Sequence, residues 1–422
     1  MRGEIRVPGD KSISHRAVML AAIAEGTSRI TGFLEGEDTR ATAAILGRLG
    51  VRIETPSPAE RIVHGVGLHG LRGADGPLDC GNAGTGMRLL AGLLAGQQFD
   101  SVLVGDQSLS KRPMVRVTGP LTAMGAGFDV ASGGFPPLRI HANKGLHGID
   151  YQAPVPSAQV KSAILLAGLY ADGETCVREL HPTRDYTERM LAAFGWPVEF
   201  SPGQARLTGG HRLLATDVAV PSDFSSAAFF LVAATLVPGS DLVLRQVGLN
   251  PRRTGLLDVL RAMGADITIE AVGEQGGEAV GDVRVRAAEL HGIEVPDSAV
   301  ADMIDEFPAL FAAAALAEGT TVVRGAAELR VKESDRIATM AAALRGLGVE
   351  IEETPDGAVI QGGSLGGGNV DSHGDHRIAM ALAVAAQRAA GTVRIANCAN
   401  VATSFPGFVD VSTGCGINLE IT

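Results

Sequence analysis

Aromatic residues are scarce in this chain: one Trp, three Tyr and 13 Phe make up 4% of 422 residues. A protein that stacks unpaired bases on aromatic rings would carry more of them. Positive charge is also short, with 36 Lys and Arg against 47 Asp and Glu and a net charge of -11. Binding to a phosphate backbone relies on clustered Lys and Arg that displace counterions, so the balance argues against nucleic acid. Cysteine is rare: Cys80, Cys176, Cys398 and Cys415 show no C-x-x-C spacing and no companion histidine pattern. That excludes the common zinc arrangements and points to free thiols in a reducing compartment. Long apolar runs are missing too; stretches such as 309–317 fall far short of a membrane span, and Met1-Arg2-Gly3-Glu4-Ile5 lacks a secretory signal pattern. The expectation is a soluble cytoplasmic protein with a small-molecule partner and no membrane or nucleic-acid contact.

What the chain has in quantity is small apolar residues and glycine. A hydrophobic content of 45% builds a large interior, and 422 residues exceed one core of about 150 residues, suggesting two domains. A glycine that follows an Ala-rich stretch and precedes a strand-like run recurs as Gly26, Gly96, Gly173, Gly239, Gly319 and Gly391. The spacing of about seventy residues is longer than that of the common solenoids. Amphipathic helical patterns at 39–50, 253–264 and 334–348 end in glycine, suited to a left-handed cap, and lead into alternating strand patterns at 51–54, 265–268 and 349–352. The stretches before the recurring glycines, at 17–24, 89–95, 163–171, 227–236, 309–317 and 378–386, are apolar all round and must be buried. Three such helices in each half would form two similar cores.

Each buried helix opens on a polar signature. In order these are Lys11-Ser12-Ile13-Ser14-His15-Arg16, Gly81-Asn82-Ala83-Gly84-Thr85-Gly86, Ser157-Ala158-Gln159-Val160-Lys161-Ser162, Ser222-Asp223-Phe224-Ser225-Ser226, Asp305-Glu306-Phe307-Pro308 and Asp375-His376-Arg377. Ser, Asp and Asn there suit helix capping, each worth about 1 kcal/mol. Capping does not call for Lys11, Arg16 or Arg377, because a cation at a helix N-terminus opposes the macrodipole unless an anion lies between them. The helix starts therefore read as anion sites. Charged segments at 38–40, 111–113, 184–186, 252–253 and 329–336 occupy one place in the repeat and suggest a shared basic rim. The glycine runs at 81–86 and 362–368 match neither phosphate-loop nor dinucleotide fingerprints, so a nucleotide cofactor is not expected. His15, His373 and His376 lack metal-ligand spacing, and His15 is read as support for Lys11 and Arg16.

With Gly9-Asp10-Lys11-Ser12-Ile13-Ser14-His15-Arg16, Gly81-Asn82-Ala83-Gly84-Thr85, Lys111-Arg112-Pro113, Ser157-Ala158-Gln159, Arg330-Val331-Lys332-Glu333-Ser334-Asp335-Arg336 and Asp375-His376-Arg377, the chain resembles the 5-enolpyruvylshikimate-3-phosphate synthase family. The motifs span almost the whole chain in the family's order. The resemblance implies an α/β fold of two domains, each of three βαβαββ units around buried helices, the inside-out barrel of enolpyruvyl transferases. It assigns 1–9 plus 222–422 to one discontinuous domain and 10–221 to the other, with the active site in the cleft between them. The implied activity is a transferase of the shikimate pathway of aromatic amino acid biosynthesis. It moves the enolpyruvyl group of phosphoenolpyruvate to the 5-hydroxyl of shikimate 3-phosphate through a tetrahedral intermediate, with no metal and no organic cofactor, in a monomer.

By the same resemblance Asp305, Lys332, Glu333 and Lys11 are catalytic. Lys11, Ser12, Arg16, Ser157, Ala158, Gln159, Arg184, Asp305 and Lys332 hold shikimate 3-phosphate, and Lys11, Gly84, Arg112, Gln159, Arg336 and Arg377 hold phosphoenolpyruvate. Many members carry a lysine before Phe-Pro near the C-terminus, whereas Ala402-Thr403-Ser404-Phe405-Pro406 has none. Glu306, Ser157-Ala158-Gln159 and Arg184-Asp185-Tyr186-Thr187 resemble the family's second class, whose tolerance of the inhibitor glyphosate often accompanies Ala where this chain has Gly84. UDP-N-acetylglucosamine enolpyruvyl transferases resemble a pattern with a Lys-Asn pair and a reactive cysteine; here Ser12 follows Lys11 and 107–111 holds no thiol. An RNA 3'-phosphate cyclase would act on nucleic acid, against which charge and aromatic content speak.

Overall fold

Local chemistry explains the six helices that carry the interior. In a computed structural model, which describes residues 1–421, helices span Lys11–Ile23, Gly84–Ala95, Ala158–Gly168, Phe224–Leu236, Phe307–Ala314 and His376–Ala385. Their Ala, Leu, Ile and Phe residues have no solvent-facing stripe, and nearly all are fully buried. Four of the six are capped by side chains: Asp10 accepts from Ile13 N, Ser157 from Val160 N, Asp223 from Ser225 N and Asp375 from Arg377 N. Ala83 and Glu306, the caps of the other two, make no such bond.

The chain divides into two compact units. One holds Met1–Pro8, Pro221–Glu274 and the residues from Glu278 onward; the other holds Gly9–Val220 with Gln275–Gly277. In the Gly9–Val220 unit the second and third buried helices each connect a parallel strand pair, as a parallel pairing requires a crossover, whereas Glu25–Thr31 after the first helix pairs in parallel with Val218–Ala219. Leu78–Asp79 pairs with Ser101–Val104, and Asp150–Ala153 with Glu174–Glu179. A second, amphipathic helix follows, then an antiparallel hairpin that completes a four-stranded sheet; Arg52–Ser57 and Glu60–Val66 complete the sheet of Glu25–Thr31 in this way. The Gly84–Ala95 and Ala158–Gly168 helices approach closely because Gly92 has no side chain: a Cβ there would lie 2.1 Å from the Ala163 carbonyl oxygen.

The other unit repeats the plan. Arg2–Ile5 pairs in parallel with Asp241–Gly248, which continues into the Glu278–Arg286 and Asp266–Gln275 hairpin. Thr320–Val323, Glu350–Thr354 and Gly357–Gln361 form a second sheet, and its three buried helices pack on one another around Phe229, Phe230, Phe307 and Phe311. Among the described residues the last sheet holds only the parallel pair Gly368–Asp371 and Val393–Ala396; a helix at Phe408–Gly414 follows instead of a hairpin. Gly50, Gly264 and Gly348, which close the amphipathic helices, have φ of 95°, 105° and 92°, the left-handed cap expected of them. Among the described residues no helix is long and apolar enough to cross a membrane.

Candidate active site

In the Gly9–Val220 unit, the starts of the three buried helices are tied together by their polar residues. Arg16, one turn into the first helix, donates to Thr187 Oγ1 at 2.7 Å, to Ser162 Oγ of the third helix at 2.7 Å and back to the Ser12 carbonyl at 2.9 Å. Among the described residues its hydrogen-bond partners are hydroxyls and a carbonyl, not a carboxylate. Burial therefore lowers its pKa to about 10, with Arg184 adding repulsion against the partial compensation of Glu188, Asp10 and Tyr186. A buried cation held by neutral groups is an incomplete pair that an anion would complete.

Lys11, at the helix start, reaches Asp38 Oδ2 at 3.1 Å. His15 is fully buried, its Nδ1 2.8 Å from Thr42 Oγ1. Burial first, then the charges of Lys11 and Arg16, push its pKa down to about 3, so the imidazole is neutral across the working pH range. It supports this helix start, and among the described residues no cluster of three or more His, Cys, Asp or Glu side chains could hold a metal ion.

The second and third helix starts meet through Gln159, whose Oε1 accepts from Arg88 Nη1 at 2.6 Å and whose Nε2 donates to Thr85 Oγ1 at 2.9 Å. Arg112 Nη2 donates to Asn82 Oδ1 at 2.8 Å and to Ser108 Oγ at 3.3 Å, which holds the guanidinium against Gly84. Ser157 is the cap of the third helix and Ala158 its first residue, while Arg184 sits half-buried beyond it. Lys161 is buried between Glu179 and Glu188, each at 2.9 Å. Burial disfavours its charge, but the two carboxylates outweigh burial and raise its pKa.

The other unit gathers a denser set of charges. Asp375 caps its helix and takes Arg336 Nε at 2.9 Å, while Arg336 Nη2 donates to Glu333 Oε2 at 2.6 Å. Burial opposes both charges of this pair. The carboxylates of Asp375, Glu333 and Asp305 nonetheless hold Arg336 above its ordinary value, and Arg336 holds Asp375 below the usual carboxyl value. Arg336 Nη1 makes no hydrogen bond among the described residues and lies 3.6 Å from Asp305 Oδ1. Lys332 Nζ is 3.4 Å from the same oxygen, and Arg377 Nη1 donates to the Asp305 carbonyl at 3.2 Å. Asp305, Lys332, Glu333, Arg336 and Arg377 are thus brought together.

One expectation needs correction. The basic segments do not form a common rim: Arg40 and Lys111 are exposed, but Arg112, Arg253 and Arg336 are buried, because each has acceptors waiting inside its unit. Glu306 stands at the cap position of its helix without a side-chain cap bond, and its side chain turns inward to Arg253 Nη1 at 3.0 Å. Sequence reasoning passed over the contribution of Arg88, whose signal was a lone charge next to an apolar helical run, and the pairing of Lys11 with Asp38, for which there was no local signal. At the C-terminal departure, Thr403 is buried and donates to the Asn400 carbonyl, while Phe405 packs on Phe230 and Phe408.

A family model described as EPSP synthase (3-phosphoshikimate 1-carboxyvinyltransferase) matches residues 1–411. The chain is 68% identical over 420 residues to a 3-phosphoshikimate 1-carboxyvinyltransferase of Xanthomonas oryzae pv. oryzae, covering 100% of this chain and 96% of the relative. It is 67% identical over the same length to one of Xanthomonas campestris pv. campestris, again covering 100% of this chain and 96% of the relative. Among solved structures it is similar to an EPSP synthase from Acinetobacter baumannii, at 50% identity and a TM-score of 0.90, with 99% of this chain and 96% of that chain covered.

Proposed function

Because the chain belongs to the EPSP synthase family, we infer that it transfers the enolpyruvyl group of phosphoenolpyruvate to the 5-hydroxyl of shikimate 3-phosphate and releases inorganic phosphate. In the first step the hydroxyl oxygen bonds to C2 of phosphoenolpyruvate, loses its proton to a base, and C3 gains a proton. In the second, the methyl group of the tetrahedral intermediate returns a proton and the C–O bond to phosphate breaks. Both steps need a base and an acid within reach of the reacting atoms, and cations for carboxylate and phosphate.

Asp305 and Lys332, 3.4 Å apart, are assigned to the attacking hydroxyl, and Glu333 to proton exchange at the methylene carbon. Arg336 links Glu333 and Asp305, so the two carboxylates share one orienting guanidinium. Lys11, Arg112, Arg336 and Arg377 are assigned to the anionic groups of phosphoenolpyruvate, which a guanidinium fork can meet with two bonds. Gln159 supports the same ligand, and Gly84 leaves room for it. Ser12, Arg16, Ser157, Gln159, Arg184 and the Ala158 amide are assigned to shikimate 3-phosphate, with Lys11 between the two.

The observation that carries this reading is the Asp305 carboxylate, shared by Lys332, Arg336 and Arg253 and followed in the next shell by Glu333. The test is phosphate release when purified protein meets both substrates. Asp305→Asn is expected to lower kcat by about 100-fold or more while leaving shikimate 3-phosphate binding in place. A folded wild-type chain that releases no phosphate refutes the assignment.

A further inference from the structure

Behind Asp305 lies an ion pair that neither substrate has been assigned to. Glu306 and Arg253 have side chains only 0% and 3% exposed, and Glu306 Oε1 meets Arg253 Nη1 at 3.0 Å. The Ser225 hydroxyl donates to the same Glu306 oxygen and accepts from Arg253, whose Nη2 also lies 3.4 Å from the Asp223 carboxylate. On its other side the pair faces the reacting groups. Arg253 Nη1 is 3.6 Å from Asp305 Oδ2, and Glu306 Oε1 is 3.7 Å from Arg377 Nη1.

The connectivity has a consequence for Asp305. Its Oδ1 faces Lys332 and Arg336 and its Oδ2 faces Arg253, while its carbonyl accepts from Arg377. Arg253 thus fixes the far edge of the carboxylate. Glu306, the next residue, holds Arg253 and Arg377 with one oxygen. Its other oxygen is buried with no hydrogen bond among the described residues, an arrangement that lowers stability relative to a satisfied or apolar side chain. A stability role alone does not account for that carboxylate.

We propose that Glu306 and Arg253 are positioning residues, a buried pair that orients the Asp305 carboxylate and the Arg377 guanidinium for the transfer reaction. The proposal rests on the activity inferred above. It makes opposite predictions for the two partners. The charges around Asp305 are Lys332, Arg336, Arg253, Arg377 and Glu306, with Glu333 and Asp375 behind Arg336. Glu306→Gln removes a negative charge next to Asp305 and releases Arg253 toward it; both favour the carboxylate, so the acid limb of kcat/KM moves to lower pH. Arg253→Met removes a cation from Asp305, so the limb moves to higher pH. Both variants lose about tenfold or more in kcat through misplacement of Asp305, and Glu306→Asp returns the limb toward its wild-type position.

The experiment is phosphate release across pH 5 to 9 for the full chain and these variants, with thermal melting recorded alongside. Opposite limb shifts support the pair; unmoved limbs with lowered melting temperatures overturn it. If either single variant does not fold, the double variant Arg253→Met with Glu306→Gln removes both charges and leaves neither partner stranded. Recovered melting temperature with kcat still reduced supports positioning, and recovery of both overturns it. A wild-type chain without phosphate release overturns the activity itself and the pair's role with it; an active wild type with unchanged variants overturns only the pair.

Discussion

Gly84→Ala probes the phosphoenolpyruvate-binding groups by a single methyl. An added Cβ would sit 2.9 Å from Arg112 Nη1, 3.4 Å from Arg88 Nη1 and 3.6 Å from Leu109 Cδ1. Ordinary contact begins near 3.4 Å, so the Arg112 guanidinium must retreat by about 0.5 Å. It cannot simply swing away, because its Nη2 is held by Asn82 and Ser108. A binding constellation tolerates about 0.5 Å of displacement, and 1 Å can cost about 100-fold, so an intermediate loss of about tenfold is expected. The backbone accepts alanine readily, since Gly84 opens a helix, where Ala gains up to about 1 kcal/mol in propensity. Steady-state phosphate release should therefore show KM for phosphoenolpyruvate raised about tenfold and KM for shikimate 3-phosphate within about twofold of wild type. Inhibition by glyphosate, which the family resemblance places beside Gly84, should weaken at least as much. Equal inhibition constants and an unchanged KM in a variant of wild-type melting temperature would refute the steric argument.

Arg16→Met removes a charge that burial disfavours: its pKa of about 10 stands well below the ordinary arginine value, which corresponds to about 3 kcal/mol at neutral pH, a deficit relieved only above pH 10. The unliganded variant should melt no lower than wild type while KM for shikimate 3-phosphate rises about 100-fold; a markedly lower melting temperature would contradict this. Asp375→Asn breaks the buried pair with Arg336 and should lower stability in denaturant by about 3–5 kcal/mol. Since the folded carboxyl lies below its ordinary value, wild type loses this contribution only as pH falls below about 4, and the variant shows no such loss. His15, held near pKa 3 against an ordinary 6.5, binds its proton more readily when unfolded, so stability falls between about pH 6.5 and 3 as the solution is acidified. His15→Asn should reduce that slope by about 1.4 kcal/mol per pH unit, measured by denaturant titration at pH 4 and 6.

The sequence by itself determined the repeat and its local punctuation. Six all-apolar helices, the glycines after them and the caps Asp10, Ser157, Asp223 and Asp375 are set by periodicity and by backbone conformations that neighbouring residues enforce, and these are legible within a few residues. The functional assignments Lys11, Arg16, Arg112, Asp305, Lys332, Glu333, Arg336 and Arg377 were reached by matching whole motifs, because no spacing within one motif says which carboxylate meets which cation. Only the tertiary structure decided those pairings: Arg336 with Asp375, 39 residues on; Arg253 with Glu306, 53 residues on; Arg88 with Gln159, 71 residues on. It also decided which charges are buried. A charged side chain goes inside only where partners from other elements of the fold meet it, and that condition belongs to the packing of the elements rather than to any stretch of chain.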